Sequence, residues 1–124
     1  MTPEIEEFAR ILVTQVRDRA VSNCDLLLEP RARSAPALKW KSFSAPRSEI
    51  DILVPDAIDE AVFNLLFAID DGILRLKFVA ASGREIDLAE EGKGELAGWY
   101  AGSGGWRAMF SEQRFVDYLA DMTS

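Results

Sequence analysis

The chain has 124 residues, 48% hydrophobic and 28% charged, which is enough for one domain with a buried core, and no apolar run approaches the roughly 20 residues of a membrane span. It holds no histidine and one cysteine, Cys24, which removes Ser-His-Asp and Cys-His catalysis, the usual zinc sites and any internal disulfide. The net charge of −7 is uneven: Pro30 to Ser48 has five cations (Arg31, Arg33, Lys39, Lys41, Arg47) and no acid, so nine other cations face all 21 acids, a balance of −12.

Thr2 followed by Pro3 reads as a helix start, a capping hydroxyl before a ring that needs no N–H partner in the first turn. Glu4, Glu6 and Glu7 suit the positive end of that helix. Ile5, Phe8, Ala9, Leu12, Val13, Val16 and Ala20 recur at helical spacing, which predicts one apolar face and an end near Asn23. Asp25 to Leu28 is too short to classify before Glu29-Pro30 breaks the chain. Pro30 to Pro46 contains three prolines and predicts loops around a short strand at Leu38-Lys39-Trp40-Lys41, where apolar and basic residues alternate. The alternation of Ile50, Ile52 and Val54 with Asp51 predicts a second strand before Pro55.

Pro55 with Asp56, Asp59 and Glu60 opens a second helix, expected to run to about Asp71. Ile58, Val62, Leu65 and Ile69 form one stripe, while Phe63, Leu66 and Phe67 cover another side. Such a helix is buried on more than one side, by the sheet or by a second copy of the chain. Gly72 ends it, and Ile73 to Ala81 follows as a strand. A turn at Ser82-Gly83-Arg84 leads into Glu85 to Leu88, with Phe78 opposite Leu88 and Ala80 opposite Ile86. Arg75, Lys77, Glu85 and Asp87 then share a charge-paired wet face. Ala89 to Gly94 reads as a polar loop and Glu95 to Ala101 as a short helix, and Ser111 is placed to cap a last helix carrying Phe115, Tyr118, Leu119 and Met122. Together these elements predict a single α+β domain over residues 1–124, a small, mostly antiparallel sheet packed with three to four helices.

Several patterns with known chemistry fail on inspection. Gly92-Lys93-Gly94-Glu95-Leu96-Ala97 has the letters of a dinucleotide loop, yet no strand follows to receive the crossover. The acids from Asp87 to Glu95 place Ala89 on a calcium-ligand position and Gly98 where a bidentate Glu is needed. No cofactor, metal or catalytic residue is therefore assigned. Asp70-Asp71-Gly72 sets two carboxylates at the negative end of a helix, a turn signal that would also offer charge to a basic partner. Lys39, Trp40 and Lys41, with Arg31, Arg33, Phe43 and Arg47, look like a nucleic-acid strip. On a net-acidic chain, lysines guarding a sheet edge explain them better.

Leu96 to Phe110 gathers two of the three tryptophans and four of the eight glycines. Trp99, Trp106 and Phe110 would plug one end of the core, whereas Trp99, Tyr100, Trp106 and Arg107 are residue types found at binding hot spots. The expected function is a non-catalytic acidic interaction protein, inhibitor- or immunity-like by analogy of size and charge alone. It would engage a basic protein partner through Asp70, Asp71, Glu90, Glu91, Glu95, Trp99, Tyr100, Trp106 and Arg107. One alternative is a small-molecule module or carboxylate enzyme with the Gly/Trp loop as a lid. Another is a homodimeric structural or secretion-chaperone-like protein joined through the helix around Val62 to Ile69. Acids in MTPEIEEFAR, where a secretory signal needs positive charge, set the expectation of a cytoplasmic protein away from membranes.

Overall fold

Residues 1–118 are described by the computed structural model. The first helix begins as the sequence dictates: the Ile5 N–H donates to Thr2 Oγ1 at 3.2 Å, and Pro3 occupies the first turn. It continues past the expected end at Asn23, as α1 (Pro3–Ile11), a π-helical stretch (Leu12–Arg17) and α2 (Asp18–Leu27) in one rod. Nothing before Pro30 obliges it to stop. The π stretch changes which side chains face inward. Buried positions run Ile5, Ala9, Val13, Arg17 and Val21, while Val16, expected in the core, is exposed. On an α-helix each four-residue step drifts by about 40°, so Arg17 would stand about 120° from Ile5. The wider turn, in which the Asp18 N–H donates to the Val13 carbonyl, absorbs that drift and brings Arg17 inward.

Both strands expected before Pro55 are helical. α3 (Ala35–Ser42) replaces the one at Leu38–Lys41, because Ser34 Oγ accepts the Ala37 N–H at 3.2 Å and Pro36 suits a first turn. α4 (Arg47–Asp70) absorbs Ile50–Val54 and passes straight through Pro55. That proline removes the N–H due to the Asp51 carbonyl. The vacancy is filled from far along the chain, where Arg114 Nε donates to the Asp51 oxygen at 2.7 Å. At its other end α4 stops at Gly72 as expected, with Gly72 N–H on Ile69 O and Ile73 N–H on Ala68 O, both 3.0 Å.

The sheet is one antiparallel pair, β1 (Lys77–Val79) and β2 (Glu85–Asp87), shorter than the sequence suggested. Phe78 faces Ile86 rather than Leu88. The loop keeps its expected three residues but falls one position earlier, at Ala81-Ser82-Gly83, closed by Ala80 N–H on Arg84 O at 2.8 Å. Gly83, with φ of 90°, supplies the left-handed residue such a loop needs. A one-residue displacement of the loop shifts the register by two, so the apolar residues keep their face. Arg75 meets Asp87 at 2.6 Å on the wet side.

Asp87 also accepts the Ala89 and Glu90 N–H groups, which turns the expected polar loop into α5 (Leu88–Gly92). α6 (Leu96–Ala101) follows as predicted, and α7 (Trp106–Phe110) is an addition. The last expected helix does not start at Ser111. Its Oγ donates to the Asp18 carboxylate at 2.8 Å and accepts the Gln113 N–H at 3.1 Å and Arg17 Nη1 at 3.2 Å, which ties it to the first rod, and residues 111–117 run without regular structure. Leu119 and Met122 lie outside the described residues.

α4 is the central element, packed on α2, α5 and α6. The core joins Ile5, Ala9 and Val13 of the first rod, Val62, Leu66 and Ile69 of α4, Ile86 and Leu88, and Leu96, Tyr100 and Trp106. The molecule is thus an α+β fold in which helices dominate and the hairpin closes one edge. No helix among the described residues is long and apolar enough to cross a membrane.

Candidate functional site

The inward stripe of α4 that carries Val62, Leu66 and Ile69 also carries a carboxylate, Asp59, 8% exposed. Burying a charge this far requires compensation. Arg17, delivered inward by the π turn and fully buried, grips it with Nε on Oδ1 at 2.9 Å and Nη2 on Oδ2 at 3.2 Å. Arg107 of α7 donates Nη1 to Oδ2 at 2.9 Å, and the Tyr100 hydroxyl of α6 donates to Oδ1 at 2.5 Å. Four donors fill the roughly four lone-pair sites of the carboxylate.

Arg17 spends its remaining N–H groups on Asp18 Oδ1 (3.0 Å), Ser111 Oγ (3.2 Å) and the Arg114 carbonyl (2.7 Å). All five of its donors are then used. Burial alone would pull its pKa down, but hydrogen bonds to Asp59 and Asp18 more than offset that and hold it above the usual value. Burial first, and then the bond to Asp59, push the Tyr100 phenol far above its ordinary value, so it remains a donor throughout the neutral range. Phe115 lies under both guanidinium groups, 4.8 Å from that of Arg107 and 6.0 Å from that of Arg17. Two cations and two carboxylates balance, so the node is a neutral lock joining five segments of chain. Among the described residues, Arg107 Nε is the one buried side-chain nitrogen or oxygen with no hydrogen-bond partner.

The same node floors an open cleft of about 520 Å³. Asp59, Tyr100 and Arg107 form its buried base, while Asp56, Glu60 and Phe63 of α4 and Tyr118 form its accessible rim. Asp56 and Glu60 are one turn apart on α4, and like charges at that spacing repel by roughly 0.2–0.5 kcal/mol. Tyr118 donates its hydroxyl to Asp56 at 2.5 Å, which raises the tyrosine's pKa. The cleft therefore combines accessible negative charge with aromatic rings, a surface suited to a guanidinium or ammonium group.

Of the nine residues singled out from sequence, Tyr100 and Arg107 lie in the base of this cleft and the other seven do not line it. Tyr100 and Trp106 have 0% and 1% exposure, and Arg107 belongs to the buried node, so these three are interior groups and not surface anchors. Trp106 meets Phe8 edge-on at 6.1 Å and Trp99 at 6.1 Å, the core plug that was one of the two readings. Gly105 is required by that packing: a Cβ there would stand 2.1 Å from the Trp99 carbonyl oxygen.

Asp70 is the N-terminal cap of α6, accepting the Leu96 and Ala97 N–H groups at 3.0 and 2.9 Å. Asp71, Glu90 and Glu95 are exposed and Glu91 half-buried, and none of the four lines the cleft. Trp99, half-buried, borders a pocket of about 260 Å³ along the glycine segment whose lining holds no carboxylate. On the helix around Val62 to Ile69, Val62, Leu66 and Ile69 are covered by the chain itself, leaving Leu65 and Phe67 exposed.

Sequence reading missed Arg17, Asp18 and Asp59. A signal existed for Asp59, which stands three and seven residues before Val62 and Leu66 and so shares their stripe. None existed for Arg17, because its position depends on the π turn. No protein-family model, curated protein or solved structure matches this chain.

Proposed function

We propose that this chain is a non-catalytic binding protein that holds a basic protein partner, in the manner of an inhibitor or immunity factor. The observation that carries this reading is the cleft in which Asp56 and Glu60 stand beside Phe63 and Tyr118 over a rigid, charge-balanced floor. An arginine or lysine side chain placed there would relieve the repulsion between the two acids and lie against the rings. The −12 balance outside residues 30–48 would steer such a partner toward the molecule. A cytoplasmic setting belongs to the same proposal: Cys24 is a free, half-buried thiol whose pKa is raised by burial and by Asp25, a group suited to a reducing compartment.

Affinity capture from native lysate tests this, comparing wild type with an Asp56→Lys/Glu60→Lys variant shown to be folded by circular dichroism. Wild type should retain proteins of high isoelectric point, and the variant should lose them. Captured proteins that are acidic, or that are indifferent to the variant, would overturn the reading. The cleft's volume also falls within the roughly 300–1,000 Å³ of small-molecule pockets, which favours a small organic cation as the second reading. A rise in Tm with free arginine or spermidine, absent in the same variant, would select it.

A further inference from the structure

The cations of Pro30 to Ser48 lose their sequence-level explanation once α3 is a helix, because there is no sheet edge for them to guard. Ala37 fixes α3 inward, fully buried, and Lys41 anchors the preceding loop by donating Nζ to the carbonyls of Glu29, Pro30 and Ala32 at 2.9, 3.4 and 2.6 Å. Lys41 is therefore a structural brace, and the loop it holds carries Arg31 and Arg33. Those two and Lys39 are exposed, and their side chains make no hydrogen bond or ion pair among the described residues. An apolar groove of about 250 Å³ is lined by Leu28, Trp40, Phe43, Ala45 and Ile50, three of them from the same acid-free stretch. Phe43, just past the end of α3, is 65% exposed and Leu38 of α3 51%.

We propose that this groove is a docking site for an acidic amphipathic segment of a partner protein, its apolar face on Trp40 and Phe43 and its carboxylates on Arg31, Arg33 and Lys39. Two features select that occupant. The floor is aliphatic and aromatic, which suits the apolar anchors of a helix laid in a groove. The segment that supplies Trp40, Phe43 and Ala45 is free of acids and carries three unpaired cations, Lys39 adjoining Trp40 and Arg31 and Arg33 following Leu28 by three and five residues, which complements carboxylates. A nucleic acid fits less well, because phosphates would meet only those three free cations while the −12 remainder of the chain repels them. The inference is independent of the acidic cleft, which draws on other residues and the opposite charge.

The test is a fluorescence-anisotropy titration with a labelled synthetic peptide of about four helical turns, Glu-rich with Leu at i, i+3 and i+7. Controls are a lysine-for-glutamate counterpart, a peptide of the same composition with its leucines spread around the helix, and a single-stranded oligonucleotide. Saturable binding of the acidic amphipathic peptide alone is expected, weakened by about tenfold or more in Arg31→Glu/Arg33→Glu/Lys39→Glu and, separately, in Phe43→Ser. All these positions are exposed, so both variants should keep the wild-type circular dichroism. The proposal is overturned if the acidic peptide fails to saturate, or if either variant binds it as wild type does. It is equally overturned if the scrambled peptide or the oligonucleotide binds more tightly, or if sedimentation shows the groove closed by a second copy of the chain.

Discussion

Asp59→Asn is the perturbation that most directly probes the buried node. The change is nearly isosteric, but it removes the negative charge facing two guanidinium groups and turns one acceptor oxygen into an amide aimed at N–H donors. Three of the four bonds that Asp59 accepts come from cations, and breaking a buried pair by one partner costs roughly 3–5 kcal/mol. We expect about 4 kcal/mol, a large part of the roughly 5–15 kcal/mol that holds a domain together. With a urea m-value of about 2 kcal/mol/M, the unfolding midpoint should fall by about 2 M, read by far-UV circular dichroism and tryptophan fluorescence.

The companion variant Arg17→Met/Asp18→Asn/Asp59→Leu/Arg107→Met removes all four charges of the node together. It should be more stable than Asp59→Asn alone, since no unpaired charge stays buried among the exchanged groups. A loss below about 1 kcal/mol for Asp59→Asn, or a fourfold variant as destabilised as the sum of its single changes, would show that the node is hydrated and the account is wrong.

Three further outcomes follow from local geometry. Gly105→Ala forces a methyl against the Trp99 carbonyl and should cost about 3 kcal/mol, with a red shift of tryptophan emission as Trp106 loses its seat; wild-type urea stability would refute the close approach. Lys93 holds a left-handed φ of 52°, so Lys93→Gly exchanges roughly 1–2 kcal/mol of strain for 0.5–1 of chain entropy and should raise stability by about 0.5–1 kcal/mol; a lowered Tm would contradict it. Two groups contribute to the pH dependence of stability. Asp25, held below the usual carboxylate range first by its hydrogen bond to Arg114, contributes stability that is present above about pH 4 and lost on further acidification. Tyr100, raised in the folded state, contributes stability that is present below about pH 10 and lost above it. Asp25→Asn should flatten the acid limb of a stability–pH curve and Tyr100→Phe the alkaline limb, and an unchanged limb in either variant would remove that assignment.

Much of the architecture was legible locally, where the residue and its physical partner lie within a turn of each other. Thr2-Pro3 starts a helix, Gly72 ends one, and Leu96–Ala101 is helical, because caps and periodicity act over three or four residues. The hairpin's faces were right although its register was not, since alternation fixes parity while the turn fixes position. Leu38–Lys41 and Ile50–Val54 misled because four or five residues fit a strand and a helix equally, and the deciding partners were Ser34 for one and distant Arg114 for the other.

The sequence by itself determined an acidic, histidine-free chain with amphipathic helices, a hairpin and a tryptophan-glycine segment open to two readings, a core plug or a binding surface. Only the tertiary structure decided that Arg17 turns inward, that Asp59 is saturated by groups 41 to 48 residues away, and that Asp56 and Glu60 share a rim with Tyr118. The reason is range: capping and periodicity are properties of neighbours along the chain, whereas neutralising a buried charge depends on whichever donors the fold brings to it.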